Sequence, residues 1–116
     1  MPSPCPAPPH EAWTLVVWRV VHGREHDFVD AFTALRDAVS ALDQPPIWWV
    51  LLQNKHDSGT YYSFGPWHGF EAVDSMRRDV GVQEAFQRLV DCCHEANPDT
   101  CRRVAGADAV RYERRA

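Results

Sequence analysis

Thr60 to Phe70 reads TYYSFGPWHGF and gathers the side chains best suited to building a site. An aromatic strand ends at Gly65-Pro66, because Pro66 has no N–H to give a sheet ladder. Gly69 is an acceptable N-cap, and Glu71 falls in the first turn of the helix it opens, where the helix dipole favours a carboxylate. Trp67 therefore sits at a strand-to-helix corner. A large aromatic there can wall a pocket for an apolar molecule. It can equally be one more core aromatic, since pockets and cores use the same residues.

A second group with chemical potential is Cys92, Cys93, His94 and Cys101. Structural zinc sites usually pair ligands across two to four intervening residues, and this spacing does not, so no metal is expected. On one helix Cys92 and Cys93 would point about 100° apart. Cys93 falls on an apolar stripe and reads as a small core residue. No charge pattern beside Cys92 argues for a reactive thiol. Adjacent cysteines bridge poorly, so the four cysteines (Cys5 is the other) read as free thiols of a reducing, cytoplasmic setting.

The chain has 116 residues, enough for one domain with a real core, and an apolar fraction of 45%, near the globular average. Its net charge is −4, and no basic run is interleaved with its aromatics, which argues against nucleic-acid binding. No apolar run approaches the ~20 residues of a membrane helix, and the start lacks the basic-then-apolar pattern of a secretory signal. Five prolines among the first nine residues make residues 1–12 a tail, expected to be disordered. Residues 13–112 form the single expected domain, and 113–116 a short C-terminal tail.

The elements that must position Trp67 follow from periodicity. Trp13 to His22 is a first strand ending at Gly23, with Trp13, Leu15, Val17, Arg19 and Val21 on one face and Thr14, Val16, Trp18, Val20 and His22 on the other. Arg24 to Leu42 is a helix whose stripe is Phe28, Phe32, Leu35, Val39 and Leu42. Pro45 and Pro46 end it. Ile47 to Asn54 is a second strand, and Lys55 to Gly59 has the turn chemistry of a hairpin leading into Thr60–Gly65. Tyr61, Ser63 and Gly65 share one face of that third strand. Gly69 to Arg78 and about Val82 to Ala96 read as helices, the second with a stripe of Val82, Phe86, Leu89, Val90 and Cys93, stopped by Asn97-Pro98. A fourth strand, bulged or short, is expected between Cys101 and Tyr112.

Strand, helix, strand, strand, helix, strand is the α+β, ferredoxin-like pattern: an antiparallel sheet with helices on one face. The first two strands are apolar on both faces, and one domain of this size has no second layer for the outer one. A second copy of the same sheet is the expected cover, giving a homodimer and a composite α/β barrel.

From Trp13 to Ala96 the chain resembles the antibiotic biosynthesis monooxygenase group of the dimeric α/β-barrel superfamily. The strand ending in Gly23 before a Phe28/Phe32 helix, the IWWVLLQN strand with its hairpin, and Trp67 followed by Glu71-Ala72 carry the resemblance. It implies a pocket between helices and sheet, lined by Trp67, Trp18, Val16 and Met76. Haem-degrading members carry an Asn on the first strand and an iron-binding His after the Trp. Those positions fall here on Val16 and near Met76, so haem degradation is the lesser reading. Polyketide-oxidising members carry an Asn four residues before the Trp, where this chain has Ser63. The resemblance thus implies cofactor-independent oxygenation of an aromatic, quinol- or polyketide-like molecule, with no cofactor. Ser63 and Tyr61 would polarise the substrate, and His68, or else His22, would act as base. The alternative is a non-catalytic dimeric barrel that only binds a small apolar ligand.

Overall fold

The computed structural model describes residues 10–107. Its central strand is β1 (Ala12–Val20), and two-residue alternation shows in its burial. Ala12, Thr14, Val16, Trp18 and Val20 are buried, whereas Trp13, Leu15 and Val17 are half-buried and Arg19 is exposed. Ala12, read from the sequence as the end of the tail, is thus the first residue of the sheet. Residues 1–9 and 108–116, including the end of the expected fourth strand, lie outside the described residues.

Gly23 turns the chain into α1 (Glu25–Ser40) at φ +91°, a conformation that favours glycine, and its N–H donates to Glu25 Oε1 at 2.9 Å. Phe28, Leu35 and Val39 are the buried stripe of α1; Phe32 and Leu42 are half-buried beside it. The second strand, β2, covers only Val50–Gln53, shorter than the expected 47–54. The reason lies at the end of β3 (Thr60–Pro66). Residues 47–49 cross it there, with the Ile47 N–H donating to the Pro66 carbonyl at 2.9 Å. A methyl group on Gly65 would collide with the Trp48 carbonyl oxygen, so glycine makes the crossing possible.

The hairpin between β2 and β3 is held by side chains, as its turn residues suggest. Asn54 Oδ1 accepts the N–H groups of His56 and Asp57 at 2.8 and 2.9 Å, and Asp57 Oδ2 accepts the Thr60 hydroxyl at 2.8 Å. The Thr60 hydroxyl and the Gly59 N–H hold the Asp57 carboxyl below its ordinary range. After β3 come α2 (Phe70–Arg78), with Gly69 as its N-cap, and α3 (Val80–Val90). Asp79 separates the two helices and caps the second, its Oδ1 accepting the Val82 N–H at 2.9 Å.

The largest departure from the sequence reading follows α3. The helix expected to reach Ala96 stops at Val90, and β4 (Cys93–Arg102) takes residues assigned to that helix and its stop. It pairs antiparallel with β1 along its whole length, Pro98 opposite Val16, with an irregularity where His94 is passed over. Pro98 is tolerated because β4 is an edge strand, where not every N–H is needed by a ladder. Among the described residues Cys92, in the turn, is therefore the buried cysteine, and Cys93, expected on a helical stripe, is half-buried at the strand start.

The four strands lie in the order β2-β3-β1-β4, each antiparallel to its neighbours. That order, with the helices on one face, is the expected ferredoxin-like α+β fold. The sheet is not closed. Its other face presents Trp13, Leu15, Val17, Val50, Leu52, Tyr62 and Phe64. Leu52 is 49% exposed, and Trp48, whose ring stands against Trp13 and Phe64, is 46% exposed.

Candidate functional site

The chain leaves β3 at Pro66, and the Trp67 N–H donates to the Ala12 carbonyl at 2.8 Å, which ties the corner to the start of β1. This places the Trp67 indole over β1, almost wholly buried at 1% exposure. Its Nε1–H donates to Thr14 Oγ1 at 2.9 Å. Two residues on, along the same face, Val16 separates that pair from a second one. Trp18, with no exposed surface, donates its Nε1–H to Ser63 Oγ at 3.0 Å. Trp18 is wedged between Phe28 and Phe86, with ring centroids 5.4 and 5.0 Å away.

Between these indoles and the helices lies a cavity of about 330 Å³. Its interior wall is Thr14, Val16, Trp18, Leu35, Val39, Trp49, Trp67, Met76, Val82 and Phe86. This size is at the small end of ligand pockets, and the lining is mainly apolar. Pro98, which is exposed, stands at its rim. Arg77, Gln83 and Gln87 are exposed and form the polar mouth. Their donors are partly engaged: Arg77 Nη2 with Thr100 Oγ1 at 2.8 Å, Gln83 Nε2 with the Arg77 carbonyl at 2.8 Å, and Gln87 Nε2 with Asp91 Oδ1 at 2.9 Å. No Asp, Glu, His, Cys or Tyr lines the cavity among the described residues. Nor do three or more His, Cys, Asp or Glu side chains among them group so as to hold a metal ion.

Of the residues expected to form a site, the structure brings Trp67, Trp18, Val16 and Met76 together on this cavity. It does not bring Ser63, Tyr61 or His68 to it. Ser63 is buried beneath Trp18 as the acceptor of its indole N–H. Tyr61 packs on Phe28 at 4.8 Å, and its hydroxyl oxygen accepts from Gln53 Nε2 at 3.1 Å. Burial pushes the Tyr61 phenol above its ordinary value and the Glu25 carboxylate adds to this; the Gln53 donor works the other way. His68 is exposed, its ring 6.0 Å from that of His10, and it does not line the cavity. Proximity to Trp67 in sequence does not carry over, because Trp67 turns inward and the next side chain turns out. His22 is also exposed, 4.0 Å from Glu25.

Thr14, Arg77, Gln83 and Gln87 were not singled out from the sequence. Alternation alone places Thr14 on the face of Val16 and Trp18. Gln83 and Gln87 stand four apart on α3, each one residue beyond the apolar Val82 and Phe86, a spacing that marks the shoulder of a buried stripe.

No protein-family model matches the chain, and no curated protein matches its sequence. Solved structures do match. A conserved protein from Methanosarcina mazei superposes with a TM-score of 0.73 at 16% identity, covering 82% of this chain and 95% of that one. An antibiotic biosynthesis monooxygenase superposes at 0.71 and 8% identity, covering 81% and 99%. SnoaB, a cofactor-independent oxygenase from Streptomyces nogalater, superposes at 0.65 and 17% identity, covering 84% and 96%. The chain therefore has the fold of the antibiotic biosynthesis monooxygenases, built here around a cavity with two buried indoles in its wall.

Proposed function

We propose that this protein is a cofactor-independent monooxygenase of a small aromatic, quinol- or polyketide-like molecule. The observation that carries the reading is the cavity: an apolar chamber walled by Trp18 and Trp67, with one buried hydroxyl on its wall and a polar mouth. A fold shared with a cofactor-independent oxygenase supports it. A phenol can supply all four electrons that dioxygen needs. The substrate loses one O–H and one ring C–H, a carbonyl forms at that ring carbon with one oxygen atom, and the other oxygen atom leaves as water. The protein's part is to hold the phenolate in a dry chamber with fixed donors. With no Asp, Glu, His, Cys or Tyr on the wall among the described residues, the phenol proton leaves through solvent at the mouth.

The second reading, a barrel that binds an apolar ligand without turnover, is favoured by that same lack of a base. Oxygen uptake with dihydroxynaphthalenes and anthrones separates the two. Steady uptake with quinone formation supports the oxygenase; saturable binding of the same compounds without uptake supports the binder. We also propose that the open sheet face is covered by a second copy of the chain, sheet against sheet. The exposed Trp48 and Leu52 and the half-buried row of Trp13, Leu15 and Val17 support this pairing. Native mass spectrometry tests it: a monomer at micromolar concentration removes the composite barrel.

A further inference from the structure

Among the described residues two strand hydroxyls, Ser63 and Thr14, accept an indole N–H; neither donates to a described residue, and they differ in whether they line the cavity. Ser63 lies under Trp18, away from the cavity. Thr14 lines the cavity, is 5% exposed, and accepts from Trp67, but its own O–H donates to no described residue. The bond from Trp67 occupies one side of the oxygen, so the hydrogen must point elsewhere. Threonine is stiff about χ1, which fixes the oxygen itself. A buried donor with a fixed oxygen and no protein acceptor is half of a hydrogen bond.

We infer that Thr14 is the ligand-orienting donor of the cavity, selecting planar apolar molecules that carry a carbonyl or phenolate oxygen at their buried end. This rests on the cavity being a ligand site. Val16, next on that face of β1, and Trp67 offer no side-chain acceptor; Thr100, opposite Thr14 on β4, does not line the cavity, and its hydroxyl oxygen accepts from Arg77. A ligand oxygen placed there completes the chain from the Trp67 N–H through the Thr14 hydroxyl to the ligand. Any second polar substituent then lies toward Arg77, Gln83 and Gln87 at the mouth.

The test compares 9-fluorenone with fluorene, rings of nearly the same shape that differ by one carbonyl oxygen. Affinities are read by quenching of tryptophan fluorescence in the wild type, Thr14→Val and Thr14→Ser. The fluorenone-to-fluorene affinity ratio is expected to fall about two- to tenfold in Thr14→Val, the range of one neutral hydrogen bond, and to be kept in Thr14→Ser. Thr14→Val leaves the Trp67 N–H without its acceptor. If that variant does not fold, Thr14→Val with Trp67→Phe removes donor and acceptor together and must show the same fall relative to Trp67→Phe alone. An unchanged ratio overturns the role of Thr14 while the cavity stands as a binding site. Binding of neither compound to the wild type overturns the ligand site, and the Thr14 inference with it.

Discussion

Replacing Ser63 by alanine separates a structural hydroxyl from a catalytic one. Ser63 is 1% exposed and Trp18 has no exposed surface, so the indole N–H of Trp18 has no route to water once the hydroxyl is gone. Leaving one buried donor unsatisfied costs about 1–3 kcal/mol. The lost volume is a single oxygen atom and adds little. For a domain of this size each kcal/mol moves the melting temperature by roughly 4–8 °C, so the variant should melt about 4–24 °C lower. Melting must be compared at one protein concentration, because the stability of an associating chain depends on it. Trp18→Phe removes the donor instead, and in the double variant the penalty for the orphaned N–H disappears. The double-mutant cycle should therefore show a coupling of about 1 kcal/mol or more between the two positions. Because Ser63 does not line the cavity, 9-fluorenone should bind Ser63→Ala as it binds the wild type. A variant that melts like the wild type but binds fluorenone tenfold more weakly would refute this reasoning and return Ser63 to the site.

Four further outcomes are expected. Gly65→Ala should destabilise the fold by about 1–3 kcal/mol, measured by urea denaturation, because the Trp48–Trp49 crossing must move to admit a methyl; a variant as stable as the wild type would mean that the crossing yields freely. Burial, then the neighbouring Cys92, pushes the Cys93 thiol up to about 11, so at pH 8 only about one Cys93 in a thousand is thiolate and brief iodoacetamide treatment followed by peptide mapping should leave it largely unlabelled. The sign for stability follows: the fold favours the neutral thiol, so Cys93 contributes fully below pH 9, and that contribution is lost as pH rises from 9 through 11. Leu52→Glu places a charge on the open face and should convert the proposed dimer to monomer in native mass spectra, while circular dichroism stays that of a folded chain. If turnover is found, its pH profile should follow the phenol pKa of each substrate tried, since no Asp, Glu, His, Cys or Tyr lines the cavity among the described residues; one fixed apparent pKa across substrates would point to a protein base.

The parts of the fold that were legible in the sequence are those whose burial is one-sided or alternating. β1 alternates, α1 carries a stripe at three- and four-residue spacing, and the Asn54–Thr60 turn uses residues whose side chains bond their own backbone. β4 was not legible because its HEANPDT has the composition of a helix end and a turn. Pairing with the otherwise unfilled edge of β1 overrides that local preference, and an edge strand exposed along most of its length asks little of its side chains. At the site, alternation put Trp18 and Val16 on one face and the family resemblance turned that face to the helices, but sharing a face is not sharing a cavity. Tyr61 and Ser63 lie on the same face as Gly65, yet Phe28 and Trp18 cover them, and only the corner end of the sheet stays open.

The corner also explains why Thr14 rather than Ser63 meets the cavity. In the β1–β3 ladder Thr14 stands opposite Gly65, and Val16 opposite Ser63. A side chain at Gly65 would occupy the path of Trp48 and Trp49, and Trp49 is itself part of the cavity wall. The glycine that lets the chain cross β3 thus also shapes the chamber beside Thr14. Further along, every position opposite is filled: Trp18 closes over Ser63, and Phe28 and Phe86 close over Trp18. Two similar indole–hydroxyl pairs therefore have different consequences. One satisfies a buried N–H and locks the core; the other also satisfies one but holds its oxygen still on the wall of the apolar cavity beneath the helices.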